Sequence, residues 1–331
     1  MTTTASPFSV EAYIASAMRI GRDVARGMPL DDAFLDAMRA VLRHPQLDAA
    51  FKELVLTLPS EGVVAESLGQ VDPQRIHAVR DAAQHQLAER LRDDWAAAFE
   101  CHGATGAYSP DPASAGHRAL ANLSLAMLCL DATARGDAVW PGRAYQRFKD
   151  AGNMTDRMGA LAALVDAHAE LAAPALQHFH AVFQDEALAI DKWFMLQARA
   201  PDRAGSVLPR VKQLMNHPDF SLKSPNRARS LVYNYCANNP AGFHRADAAG
   251  YVYWADRVLE LDALNPQVAA RLARVMDRWT RLVEPYRSAA QKALARIAAK
   301  PELSSDVREI VERSLDAGAP AEPAAVPETV A

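Results

Sequence analysis

Residues 224–240 read SPNRARSLVYNYCANNP and place two arginines, Arg227 and Arg229, two positions apart inside an otherwise apolar helical pattern. A guanidinium is a planar fork of donors that matches a carboxylate bidentately, so an arginine at the rim of an apolar stripe is a candidate anion grip. At about 100° per residue, Ala228, Leu231, Val232, Tyr235 and Cys236 share one arc. Arg227 falls beside Ser230 and Asn234, a polar edge, and is expected to face solvent. Arg229 falls between Cys236 and Tyr233 and is expected to be semi-enclosed. In the helix begun by Asn265-Pro266 the apolar arc is Val268, Leu272, Val275 and Met276, with Arg271 at its edge and Arg274 opposite. Arg229 and Arg271 are therefore the two candidate binding residues. The competing reading is a snorkelling or intramolecularly paired surface arginine.

Other chemistry finds little support. A zinc hydrolase of the HExxH type needs a glutamate directly after the first histidine, and none of the ten histidines is followed by one. His178 and His180, with Asp185 and Glu186 nearby, form the densest ligand-type cluster. Residues at i and i+2 project from opposite sides of a helix, so these two cannot share a metal there, and a structural or surface role is the simpler reading. A hydrolase built on this region would be the reading of last resort. No GxxxxGK[ST], strand-borne GxGxxG or GxSxG occurs, which removes phosphate-cradling loops and the nucleophile elbow. Cys129 and Cys236 sit in apolar runs and read as small hydrophobes rather than nucleophiles. In GNMTDRMGALAAL, Asn153 or Thr155 can cap a helix whose first turn Asp156 complements.

The elements that must carry these residues are helices. The chain is half hydrophobic but only 7% aromatic, with 15 glycines in 331 residues and few β-branched runs from which to build strands. A small polar residue before proline supplies both an N-cap acceptor and the preset φ of the first helical residue, and Asp72-Pro73, Ser224-Pro225, Asn239-Pro240 and Asn265-Pro266 are four such starts. Apolar residues recur at helical spacing between them, as in Leu30, Phe34, Met38 and Leu42, or Ile190, Phe194 and Ala198. The pattern predicts helices near 8–26, 30–43, 46–57, 61–69, 73–102, 115–134, 138–150, 155–167, 171–184, 187–199, 204–216, 225–237, 249–260, 266–282, 284–299 and 303–316. Residues 103–114 read as an exposed loop, residues 1–7 as a disordered start, and the Pro/Ala-rich tail from Ala317 as disordered. Many short amphipathic helices joined by tight turns over 8–316 predict an all-α curved superhelix, an armadillo/HEAT-like solenoid of stacked antiparallel helix pairs.

Bulk properties bound the partners. Net charge is −4 with acids and bases interspersed, so neither nucleic acid nor an anionic membrane is indicated. Three dispersed cysteines do not form a disulfide framework, and no run of about 18 apolar residues or secretory leader is seen, so a soluble cytoplasmic location is expected.

The run MNHPDFSLKSPNRARSLVYNYCANNPAGFHRADAAGYVYWADRVLELDALNPQVAARL, with NMTDRMGAL, DKWFMLQA and LTLPSE, resembles the C-terminal domain of bacterial aminopeptidase N, the alanyl aminopeptidases of the gluzincin zinc metallopeptidases. The likeness spans about residues 8–316. It implies an all-helical superhelix stacked on a separate catalytic domain that carries the zinc motif HExxH and the exopeptidase motif GAMEN, neither of which occurs in this chain. It further implies a non-catalytic role here: closing the substrate chamber over small peptides and sending arginines toward the primed side. The arginines that match are Arg229 in SPNRARSL and Arg271 in NPQVAAR. Gly152 stands where asparagine is expected, and no role is carried to it. The alternative, of a different class, is a free-standing helical-repeat interaction scaffold derived from that domain.

Overall fold

The computed structural model describes residues 30–103 and 108–318. The helix expected near 8–26, the disordered start over 1–7 and almost all of the tail lie outside them. The described residues form an all-α superhelical stack. Its helices are α1 (Asp32–Arg43), α2 (Ala49–Leu56), α3 (Glu61–Glu66), α4 (Pro73–Arg90), α5 (Arg92–His102), α6 (Pro112–Ala134), α7 (Val139–Asp150), α8 (Met154–Asp166) and α9 (Ala172–Phe183). They continue as α10 (Ala187–Arg199), α11 (Val207–Leu214), a composite α12 over 225–238, α13 (Pro240–Phe243), α14 (Ala249–Leu264), α15 (Pro266–Ala273), α16 (Tyr286–Ala298) and α17 (Ser305–Asp316).

All four cap-proline starts form as the sequence predicts. Asp72, Ser224, Asn239 and Asn265 accept from the backbone N–H three residues on, at Arg75, Arg227, Gly242 and Val268. A fifth was missed: Asp111 caps α6 through Ser114 N–H at 2.9 Å, with Pro112 in the first turn. The stretch 103–114 is therefore not loop throughout, because the last three of its residues open α6. The single helix predicted over 73–102 breaks at Leu91, whose φ/ψ of −111°/21° leaves the helical region. Trp95 is the cause. Its indole N–H donates to the Leu87 carbonyl at 3.1 Å, the acceptor that Leu91 N–H also uses at 3.2 Å, so a side chain enters the backbone ladder. The predicted helix 266–282 stops at Ala273 and gives way to two short 3-10 turns, Arg274–Met276 and Trp279–Arg281.

Packing runs mainly between neighbours: α5 and α8 on α6, α2 on α6, α7 on α8, α10 on α12, α14 on α15 and α16, and α15 and α16 on α17. Tryptophans stitch the layers. Trp193, Trp254 and Trp279 are buried, and each indole N–H meets a carbonyl of another helix, Leu176 at 2.9 Å, Leu272 at 2.9 Å and Ser314 at 2.7 Å. Each site thus combines a large apolar burial with a satisfied donor, and truncation to alanine at such positions costs about 3–5 kcal/mol.

One set of contacts departs from a simple array. Val71 and Leu282 form an isolated parallel bridge, with Val71 N–H on Arg281 O at 2.8 Å and Val283 N–H on Val71 O at 3.0 Å. The Gln74 amide donates to the carbonyls of Ala241 and His244, both at 2.8 Å, and the Arg281 guanidinium reaches the Leu68 carbonyl. The α3–α4 hairpin therefore closes onto α13 and the turns that follow α15.

Candidate functional site

The helix that holds both arginines of the first motif is not a uniform α-helix. It begins as Pro225–Ala228, widens to a π-helical segment at Arg229–Tyr233, and returns to α over Asn234–Asn238. Such π segments recur at functional sites. The Asn234 side chain takes up part of the altered ladder by donating to Arg229 O at 2.9 Å. The predicted core arc holds: Ala228, Leu231, Val232, Tyr235 and Cys236 are all buried.

The two flanks of that arc are reversed relative to expectation. Arg227, expected in solvent, is enclosed. Its Nε donates to Asp219 O at 2.8 Å, its Nη1 to Ala187 O at 3.0 Å and to the Asp191 carboxylate, and its guanidinium lies 5.5 Å from the Phe194 ring centroid. Arg229, expected to be semi-enclosed, is exposed. Helical periodicity marks both positions as flanks but cannot say which one a neighbour covers. Here α10 covers the Arg227 side, through Ala187, Asp191 and Phe194.

The other flank faces α14 and α15. Arg229 and Arg271 line one cavity of about 390 Å³, whose walls include Ala228, Val232, Leu261 and Leu272 from the core and Tyr233, Asn265 and Gln267 at the rim. α12 and α15 each begin at a cap-proline start a few residues before their arginine, and both line the pocket, where residues 42 positions apart in sequence meet. Arg271 lies 5.3 Å from the Tyr233 ring centroid. Among the described residues neither guanidinium makes a hydrogen bond or ion pair, and no carboxylate lines the cavity. Two guanidiniums with no carboxylate partner among the described residues, above an apolar floor, suit a ligand that presents a carboxylate beside an apolar group.

A second cleft, of about 350 Å³, gathers Glu61, His77, Arg80, Asp81, Asp166 and Arg199 from four helices. Sequence reasoning did not find it, because no local spacing links residues drawn from α3, α4, α8 and α10. A hydrogen bond from the His77 ring to Glu61 at 2.7 Å raises the imidazole pKa against the opposing effect of burial. Asp166 is exposed and lines the cleft together with Arg80 and Arg199. Arg80 is itself committed to Pro59 O at 2.8 Å and to Gln84 at 3.1 Å. Positive and negative groups offset one another here, unlike the Arg229–Arg271 cavity.

The remaining expectations can be placed. His178 and His180 do point apart: His178 is exposed beside Phe148, while His180 turns to Asp219 and His217 rather than to Asp185 or Glu186. Cys129 and Cys236 are buried, and burial pushes the Cys129 thiol up to about 12 and the Cys236 thiol well above its ordinary value, so neither is a thiolate. Asn153 caps α8 from Asp156 N–H at 2.9 Å, and Asp156 pairs with Arg147 at 3.0 Å. Among the described residues no helix is long and apolar enough to cross a membrane.

Residues 9–316 match the profile of a family described as a domain of unknown function (DUF3458_C), ARM repeats. The chain is 37% identical over 288 residues to the aminopeptidase N of Caulobacter vibrioides, which covers 86% of the chain and 32% of that relative. It is 33% identical over 309 residues to the aminopeptidase N of Haemophilus influenzae, covering 92% and 34%. It also resembles the crystal structure of Legionella pneumophila aminopeptidase A in complex with aspartic acid, with a TM-score of 0.82 and 27% identity over 93% of the chain and 36% of that protein. The chain thus spans about a third of the length of the relatives it matches.

Proposed function

The chain belongs to the ARM-repeat family DUF3458_C, and on that premise we propose that it is the non-catalytic C-terminal domain of a zinc aminopeptidase N, docking on a catalytic domain and closing its substrate chamber. In this reading the zinc and the hydrolytic groups belong to the catalytic domain, since HExxH is absent from these 331 residues. The part of this domain is to receive the far end of a small peptide, with Arg229 and Arg271 gripping a carboxylate on the primed side.

The observation that carries the reading is that Arg229 and Arg271, whose guanidiniums make no hydrogen bond or ion pair among the described residues, share one acid-free cavity. The first residue of each helix, a proline after a capping side chain, holds the backbone in place before the ligand arrives, so little ordering cost falls on binding.

The test is kinetic. When the chain is combined with its catalytic domain, Arg229→Ala should raise KM for tri- and tetrapeptides by about one to two decades, the cost of a lost charged hydrogen bond, and leave KM for an alanyl nitroanilide nearly unchanged. Equal effects on both substrates would reduce Arg229 to a structural role. Failure of the chain to co-purify with the catalytic domain, or to alter its activity, would favour the free-standing scaffold.

A further inference from the structure

His180 on α9 meets His217 and Asp219, which lie in the segment between α11 and α12. The His180 Nε2 is 2.6 Å from Asp219 Oδ2, and the His217 Nδ1 is 3.7 Å from the same oxygen. One donor atom from each of the three residues lies within 4.8 Å of the others. We propose that these residues form a binding site for a borderline divalent transition metal, Zn2+ first among them, that fastens the 215–224 segment to α9.

The chemistry of the donor set selects the ion. Two imidazoles and one carboxylate suit Zn2+, Ni2+, Co2+ or Cu2+, whereas Ca2+ and Mg2+ require an oxygen-rich shell. Around a tetrahedral zinc with bonds of about 2.0–2.1 Å the donor atoms stand about 3.3 Å apart. The observed 2.6 and 3.7 Å separations straddle that value, and the two ring nitrogens, within 4.8 Å of each other, must approach by up to about 1.5 Å to complete the site. On binding, the metal takes the place of the hydrogen between His180 and Asp219, and that proton moves to the other ring nitrogen or to solvent. At His217 the competitor is the Asp219 backbone N–H, which donates to Nδ1 at 3.2 Å, a long bond that is readily displaced. A fourth position stays open to water.

The surroundings are firm enough to present the ligands yet open enough to admit an ion. The three side chains retain 24%, 27% and 35% of their accessible surface. Trp193 packs 5.0 Å from the His180 ring centroid and 5.2 Å from that of His217, and Phe194 lies 5.8 Å from His217. The Asp219 backbone is held by Arg227 Nε, and the charge of that guanidinium is met by Asp191, so the nearest cation does not oppose metal binding unscreened. His180 is separated in sequence from its partners by a full helical repeat, which is why the spacing of histidines along the chain does not reveal the site.

The experiment uses the untagged full chain, freed of metal by chelation and titrated with Zn2+ by calorimetry. The expected result is one Zn2+ per chain with a rise in melting temperature, a loss of affinity of more than about tenfold in His217→Ala and in Asp219→Asn, and no change in His178→Ala. Stoichiometry well below one, or equal affinity in all variants, overturns the site. Should the variants misfold, the wild-type chain still decides: Cu2+ at the site quenches the fluorescence of adjacent Trp193, a signal absent from Trp193→Phe, and the imidazole resonances of His180 and His217 shift on adding Zn2+ while that of His178 does not. Absence of both effects refutes the proposal.

Discussion

The reversal of the two neighbouring arginines yields a contrast that can be measured without any ligand. Arg227 and Asp191 each retain only 14% of their side-chain surface, so Arg227→Ala strands a carboxylate that water reaches poorly. The same change removes donors from Asp219 O and Ala187 O and the guanidinium above Phe194. Breaking a fully buried pair costs about 3–5 kcal/mol, and the residual water access here lowers that to about 2–3 kcal/mol. For a chain of 331 residues each kcal/mol moves the midpoint by about 1.5 °C, so Arg227→Ala should melt about 3–5 °C below wild type. Arg229→Ala removes an exposed side chain that makes no hydrogen bond or ion pair among the described residues and should stay within about 0.5 kcal/mol of wild type. Lysine should rescue Arg227 poorly, because a single ammonium cannot reproduce a fork that spans two elements. Urea and thermal unfolding followed by circular dichroism would read both variants, with an unchanged m-value guarding the two-state comparison. Equal losses, or a larger loss for Arg229→Ala, would refute the enclosure of Arg227 and with it the division of labour between the two residues.

Burial lowers the His244 imidazole pKa to about 4, and its Nδ1 shares a 2.7 Å hydrogen bond with the Tyr251 hydroxyl. A depressed folded pKa contributes stability that is present above the unfolded value near 6.5 and lost as pH falls toward about 4, a span of about 3 kcal/mol. Urea midpoints at pH 7.5 and 4.5 should therefore diverge, and His244→Asn should narrow the gap; a gap unchanged by the substitution would assign the acid sensitivity elsewhere. Gly250 opens into α14 so close to α13 that a Cβ there would stand 2.0 Å from the Phe243 carbonyl oxygen. Gly250→Ala should destabilise by at least about 2 kcal/mol, and a midpoint matching wild type would contradict that approach of the two backbones.

Much of this fold is legible because the chain marks its helices locally. Asn239-Pro240 and Asn265-Pro266 carry both cap and φ in two letters, and each starts a helix where expected. Asp111-Pro112 uses the same code but sits among other turn formers in GAYSPDPAS, where composition outweighed the pair. Leu91 gives no sign of a break, since the cause is the Trp95 indole four positions on competing for a carbonyl. The stop at Ala273 is equally silent, because the turns after it serve Trp279 and the bridge to Val71, both fixed by distant chain. For the site, periodicity identified Arg229 and Arg271 as rim positions. It could not tell enclosed from open at Arg227 and Arg229, nor bring His180 to His217, because α10 and the 215–224 segment decide those outcomes. Local patterning reports what a residue can do, whereas a partner helix decides whether it does it.

The junction of Val71 with Leu282 bears on how the molecule is wound. Bringing together points separated by 211 residues of loose chain would cost about 5 kcal/mol of closure entropy, which two backbone hydrogen bonds do not recover. In a stack already wound from α4 to α15 the same two points are neighbours, and joining them costs little. The clasp should therefore form last in folding. Once formed it ties the α3–α4 hairpin to the turns after α15, so amides of Val71 and Val283 should exchange with solvent in step with the deep core rather than by local opening.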